Sequence, residues 1–183
     1  KTGLDSKTPP ILRSYMGWQP IKRFDFSRRS LAPKQKGKRA AEDSLVEYVR
    51  QAWDVLEPAT DYIHGWHVDV ICEHLEAVTA GQIKNLIINV PPGTMKSLLV
   101  GVLWPTWDWI KHPHRRYLCA SHVQPLATRD SLKSRRLIQS QWYQDRWSDR
   151  FQLTSDQNQK TRYDNNKAGF RLAMSTGAVT GER

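Results

Sequence analysis

Cysteine is scarce in this chain. Cys72 and Cys119 are the only two in 183 residues, far apart and in no C-x-x-C pair. That excludes a disulfide framework and a thiolate metal finger, and two isolated thiols suit a reducing compartment. Long apolar runs are missing too. Without 18 consecutive apolar residues no membrane-spanning helix is expected, and no apolar leader segment opens the sequence. The first residue is Lys1, not Met, so the natural start is expected upstream. Acidic charge is missing from one region. Residues 1–40 hold 2 Asp/Glu against 11 Lys/Arg, whereas 41–183 hold 16 against 17. Almost all of the +10 net charge therefore belongs to the N-terminal segment. Such an arm either meets an acidic partner, nucleic acid or an acidic protein face, or is a solvated tail.

What is present reads as two parts. Residues 1–40 carry Pro9-Pro10, Pro20 and Pro33, with no helical or strand period, and are expected to be a basic extended arm. Residues 41–183 are expected to form one domain. Leu45, Val46, Val49, Trp53 and Leu56 recur at helical spacing up to Pro58, and Val68, Ile71, Cys72, Leu75 and Val78 mark a second helix. Leu86–Val90 reads as a buried strand that turns into a third helix, which Pro105 ends or kinks. Tyr117–Ser121 reads as a strand, 124–141 as a polar helix, and 151–153 as strand-like. The 164–169 cluster is a turn before the alternating run 170–174. Strands alternating with helices argue for an α/β sheet with parallel pairs. A βαβ unit from Leu86 to Ser121 would bring the 91–97 turn and Ser121 to one rim, where such sheets bind ligands.

The turn itself, Val90-Pro91-Pro92-Gly93-Thr94-Met95-Lys96-Ser97-Leu98, has the order of a phosphate cradle. Helix-leading N–H groups and the helix dipole favour an anion, a lysine meets the β/γ-phosphates, and the next hydroxyl holds Mg²⁺. Val90 and Met95 stand at the two glycine positions of G-x-x-x-x-G-K-[ST], so the pattern alone leaves open an ordinary strand-to-helix turn.

Further pieces follow in order: Ala52-Trp53 with Glu57-Pro58; Trp66-His67; Pro91–Ser97; Ala120-Ser121 with Leu126-Ala127, Arg129-Asp130-Ser131 and Arg135; Trp142-Tyr143; Ser175-Thr176-Gly177 with Thr180-Gly181. In this order the chain, over about residues 45–183, resembles the N-terminal ATPase domain of the large terminase subunit of tailed bacteriophages, a DNA-packaging motor. The resemblance implies a P-loop NTPase-type three-layer α/β fold with a mainly parallel sheet. It implies ATP and Mg²⁺ as cofactors, with Gly93, Thr94, Met95, Lys96, Ser97 and Leu98 around the phosphates, Lys96 catalytic and Ser97 on Mg²⁺. Gly93 stands where many members have an arginine. A late arginine acting across a subunit boundary is the alternative, for which Arg183 is the candidate. The implied partners are double-stranded DNA, the portal protein and procapsid, the small terminase subunit and copies of itself in a ring. No membrane is implied, and the setting is the cytoplasm of an infected bacterium. The acidic Walker B strand and the nuclease domain are expected beyond Arg183, so this stretch is expected to bind ATP without turning it over.

Trp66 and His67 sit where the family meets adenine. They read equally as a core tryptophan and a capping histidine. His64, His67 and His74 lack the further ligands of a metal site. Arg129, Lys133, Arg135 and Arg136, with Arg115, Arg116 and Arg146, are candidates for a DNA track or a solvated face. The alternatives to a packaging motor are another P-loop ATPase of helicase type, or a non-catalytic module binding DNA or protein.

Overall fold

The computed structural model describes residues 33–178. Helix formation starts earlier than the sequence pattern predicts. Pro33–Asp43 is helix α1, so residues 33–40, expected in an extended arm, are helical. Pro33 is tolerated at a first helical position, and the Lys, Gln, Arg and Ala that follow are good helix formers. Lys38–Glu42 and Arg39–Asp43 pair one turn apart, at 4.0 and 3.7 Å. Ser44 then caps α2 (Leu45–Leu56), its side chain accepting from Glu47 N. Gly65 precedes α3 (Trp66–Thr79).

From Lys96 to Lys111 the chain is helical throughout, but not uniformly. A short turn α4 (Lys96–Leu98) passes into a π-helical turn (Leu99–Leu103), then into α5 (Trp104–Lys111). The π turn answers to Pro105. A proline has no N–H and crowds the carbonyl four residues back, which a wider turn relieves. Thr106 Oγ1 lies 3.1 and 2.8 Å from the carbonyls of Val102 and Leu103. Pro105 is therefore carried inside the helix and does not end it.

Among the described residues the sheet has four strands, numbered along the chain and lying in the order β1-β4-β3-β2. They are β1 (Tyr117–Ser121), β2 (Leu153–Asn158), β3 (Arg162–Asn165) and β4 (Phe170–Ser175), with α6 (Gln124–Gln139) and α7 (Gln141–Trp147) between β1 and β2. β1 pairs with β4 in parallel, Tyr117 opposite Arg171 and Ser121 opposite Ser175. β2–β3 and β3–β4 are antiparallel. The sheet is thus mixed among the described residues, where a mainly parallel one was expected. The cause is the 164–169 turn, which folds β3 back on β4 as a hairpin. Gly169 is required there because a Cβ would lie 2.0 Å from the Pro113 carbonyl. β4 does not alternate as its sequence suggests, since Arg171 to Met174 are all buried.

Leu86–Val90, expected as a buried strand, joins no ladder among the described residues. It has a strand's alternation, with 86, 88 and 90 half-buried and 85, 87 and 89 exposed, but no neighbour to bond. Ile87 is 93 % exposed.

The core lies among α2, α3, the Leu99–Leu103 turn, α5, α6, α7 and the sheet, and it is rich in aromatics: Tyr48, Trp107, Trp109, Tyr143, Trp147, Phe151 and Tyr163 are all buried. Their polar tips find partners, as buried tips must. Trp107 Nε1 donates to Ala41 O, Trp147 Nε1 to Glu42 Oε1 and Tyr143 Oη to Thr106 O, each at 2.8 Å. Asp108, at 0 % side-chain exposure, receives Arg115 Nη1 at 2.9 Å, meets His112 Nδ1 at 2.9 Å and accepts from the Tyr117 hydroxyl.

Candidate phosphate-binding loop

Two residues of the 91–97 turn take left-handed backbone conformations, Gly93 at φ +84° and Met95 at φ +60°, while Thr94 between them does not. Lys96 then enters the helix. Alternation of this kind makes a concave backbone nest that suits an anion. For Gly93 the conformation is free; for Met95 it costs about 1–2 kcal/mol, a strain of the sort that collects at functional sites. Thr94 Oγ1 donates to Pro91 O at 2.8 Å and closes the turn on itself. The N–H groups of Lys96, Ser97 and Leu98 lead the helix, with no carbonyl behind them to accept.

The loop lines a cleft of about 570 Å³, walled on its far side by Arg129, Asp130 and Lys133 of α6. That volume lies within the range of small-molecule sites, about 300–1,000 Å³. Lys96 is half-buried and Ser97 exposed. Arg129 bonds Asp130 Oδ1 through Nε at 2.9 Å, and this bond holds the guanidinium pKa above its ordinary value. Lys133 pairs with Glu57 just past the end of α2. A second cleft, of about 330 Å³, shares Lys96, Ser97 and Asp130 with the first and reaches Ser121 at the end of β1. Lys96 and Ser97 of the 91–97 turn and Ser121 therefore border one cleft, although the βαβ unit expected to bring them together is not formed among the described residues.

The other candidate residues separate. Trp66, 77 % exposed, and His67 line neither cleft. Their rings meet edge to face at 6.3 Å, and His67 packs against Gly65, where a Cβ would lie 2.6 Å from its ring. His64 is taken by Asp69 at 2.8 Å and Tyr62 at 3.1 Å. No group of three metal-ligating side chains occurs among the described residues. Arg129, Lys133 and Arg136 share one face of α6 and line a groove along it, Arg129 and Arg136 being exposed. Arg135 faces the other way and donates to Asn158 O at 2.9 Å. Arg115 is bound to Asp108, Arg146 lies 5.0 Å over Trp142, and Arg116 lies 5.6 Å over Phe170. Arg183 and the 1–32 segment lie outside the described residues.

Asp130 escaped the sequence reading as a site residue. A carboxylate on the Arg129 helix, a few residues past the Ser121 strand end, was the available signal. Comparison with family models, with curated proteins and with solved structures finds no match for this chain.

Proposed function

We propose that this chain is the ATP-binding part of a motor ATPase that packages double-stranded viral DNA into a procapsid. The observation that carries the nucleotide reading is the 93–97 loop, whose left-handed Gly93 and Met95 lead into Lys96 and Ser97 at a helix start. The terminase resemblance supplies the biological setting, including the portal, the small subunit and a ring of copies as partners.

In this reading the backbone of Gly93 to Leu98 binds the phosphates, and Lys96 places a full positive charge at their outer end. Arg129, on the opposite wall, approaches the same end, in the place of the arginine that Gly93 does not provide. Mg²⁺, when bound, neutralises phosphate charge and polarises the terminal phosphoryl group. Ser97 is the side chain that would hold it, with Asp130 the nearby carboxylate. The exposed Arg129 and Arg136 of α6 offer point charges to a duplex backbone, which fixes position and not sequence.

The test is titration with ATP, with and without Mg²⁺, by calorimetry. A charge-assisted phosphate bond is worth about 1.5–3 kcal/mol, so Lys96→Ala is expected to weaken ATP binding about 10- to 150-fold with an unchanged circular dichroism spectrum. Equal ATP affinity in the variant, or an unfolded variant, sinks the reading. A procapsid packaging assay with the complete motor separates a packaging ATPase from a helicase-like one.

A further inference from the structure

Residues 51–83 hold six Asp/Glu and no Lys or Arg, in a chain whose net charge is +10. Two of the six are spent within the fold. Glu57 pairs with Lys133, and Glu76 accepts from Leu45 N at 2.5 Å. Asp54 and Asp61 are exposed, and Asp69, also exposed, meets the His64 ring at 2.8 Å. The same stretch leaves apolar surface in water. Ile63 is 83 % exposed, Trp66 77 % and Val70 43 %. They are three of the seven exposed large hydrophobics among the described residues, and all three fall between residues 63 and 70. One such side chain needs no explanation, whereas a group of them marks a contact surface.

Helix geometry orders this surface. α3 turns Val68, Ile71, Cys72 and Leu75 into the core. At about 100° per residue, Trp66, Val70 and Ala77 then stand on the opposite side, within about 40° of one another. Asp69 and Glu73 run along one flank of that row. Ile63 stands three residues ahead of Trp66, in the loop before Gly65. The outer face of α3 is thus an apolar row with an acidic border and no Lys or Arg of its own. The nucleotide reading does not use it, since Trp66 and His67 line neither cleft.

The border selects what covers the row. A nucleic acid would set its phosphates against Asp69 and Glu73. A second copy offering the same face about a two-fold axis would set those carboxylates against their own equivalents. Both arrangements are repulsive, and like-charge juxtaposition suppresses wrong partners. A cationic partner meets no such barrier. The i to i+4 spacing of Trp66 and Val70 is a packing ridge that another helix fits.

We infer that the outer face of α3 is a docking surface for a basic amphipathic helix of a partner protein. The apolar stripe of that helix covers Ile63, Trp66 and Val70, and its Lys or Arg residues meet Asp69 and Glu73. Trp66 is the anchor, as large aromatics are at interface centres, and the carboxylates set register and steer the encounter. The inference does not rest on nucleotide binding.

The experiment uses the isotope-labelled 183-residue chain and three synthetic helical peptides of about 14 residues. The first carries Leu on one face and Lys on the other. The second replaces Lys by Glu, and the third has the first one's composition with Leu spread around the helix. Binding is read by calorimetry and located by amide chemical shifts. The Lys peptide is expected to shift residues 61–77 and to bind at least about tenfold more tightly than either control. Trp66→Ser, a change at an exposed position, should weaken it at least about tenfold. Asp69→Asn combined with Glu73→Gln should weaken it and flatten its salt dependence. Should Trp66→Ser fail to fold, the carboxylate variant and the peptide comparison decide. Equal binding of a control peptide, shifts centred on another element, or unchanged affinity in the variants overturns the docking surface. So does a dimer of the chain that Trp66→Ser abolishes, or duplex DNA that shifts the same residues.

Discussion

Replacing Asp108 by Asn keeps the side chain's shape and removes its charge. The carboxylate is fully buried and serves three neighbours, the Arg115 guanidinium, the His112 ring and the Tyr117 hydroxyl. These tie α5 to the segment leading into β1 and to β1 itself. Removing one member of a buried ion pair costs about 3–5 kcal/mol, because the other charge is left uncompensated. Two features lower that figure here. The Arg115 side chain is 34 % exposed, and its Nη2 still donates to Thr79 O at 2.9 Å. The expected loss is about 2–4 kcal/mol. With a urea slope of about 2 kcal/mol/M, the unfolding midpoint falls by about 1–2 M. The assay is urea unfolding read by tryptophan fluorescence and by circular dichroism, whose coincidence tests the two-state assumption. Trp109, bonded to Arg115 O at 2.9 Å, reports from beside the site. Asp108→Asn combined with Arg115→Met should lose less than the two single changes added together, since the stranded charge is gone. A midpoint shift under about 0.3 M, or strict additivity, refutes the claim that charge pairing holds this corner.

Two other outcomes are expected. Glu76 accepts the Leu45 N–H at 2.5 Å, and burial raises its carboxyl pKa above the ordinary value. The folded state therefore holds the proton to higher pH than the unfolded state, and stability falls as pH rises through the window just above the usual carboxylate range. Glu76→Gln should flatten that slope in a pH series of thermal unfolding, and an unchanged slope would assign it to other groups. Gly169→Ala would drive a Cβ against the Pro113 and Arg115 carbonyls, at 2.0 and 2.9 Å. It should destabilise by about 1–3 kcal/mol through forced backbone shifts, and a melting temperature equal to that of the unaltered chain would show that the hairpin gives way freely.

The helices were legible where apolar spacing was regular, as at Leu45, Val49 and Leu56 or Val68, Ile71 and Leu75. α1 was not, because a stretch of Lys, Gln and Arg beside prolines has no apolar period. Its helicity comes from propensity, from ion pairs to Glu42 and Asp43 and from packing beneath Trp107, which bonds Ala41 O. β3 was missed because Arg162, Tyr163, Asp164 and Asn165 are mostly polar; Tyr163 and Asn165 are buried, and only Tyr163 is apolar enough to signal it. On α6 the apolar letters held at Leu137 and Ile138, which are buried, and misled at the other end. Leu126 is 38 % exposed, while Ala127, Ser131 and Ser134 face inward, since close approach to the sheet selects small side chains. The phosphate loop was legible because its chemistry is local. Its opposing wall was not, since Arg129, Asp130 and Lys133 reach the loop only through the fold. Arg171 is the instructive case: a lone charge in an apolar strand was visible, but its burial with no hydrogen-bond partner among the described residues is a property of three-dimensional surroundings.

The π-helical turn at Leu99–Leu103 has a consequence for the loop before it. Such a turn is an α-helix with one residue added, and each residue advances a helix by about 100°. Lys96 and Ser97 are thus set out of phase with the aromatic face that α5 presents to the core. Deleting one residue between Leu99 and Leu103 would restore ordinary helical bonding and remove the relief that Pro105 needs. It would also swing Lys96 and Ser97 about 100° around the axis, away from Arg129 and Asp130. The angular setting of the loop is therefore fixed by a miscount in the helix behind it, and a shorter helix could be well formed and still aim the lysine at the wrong wall.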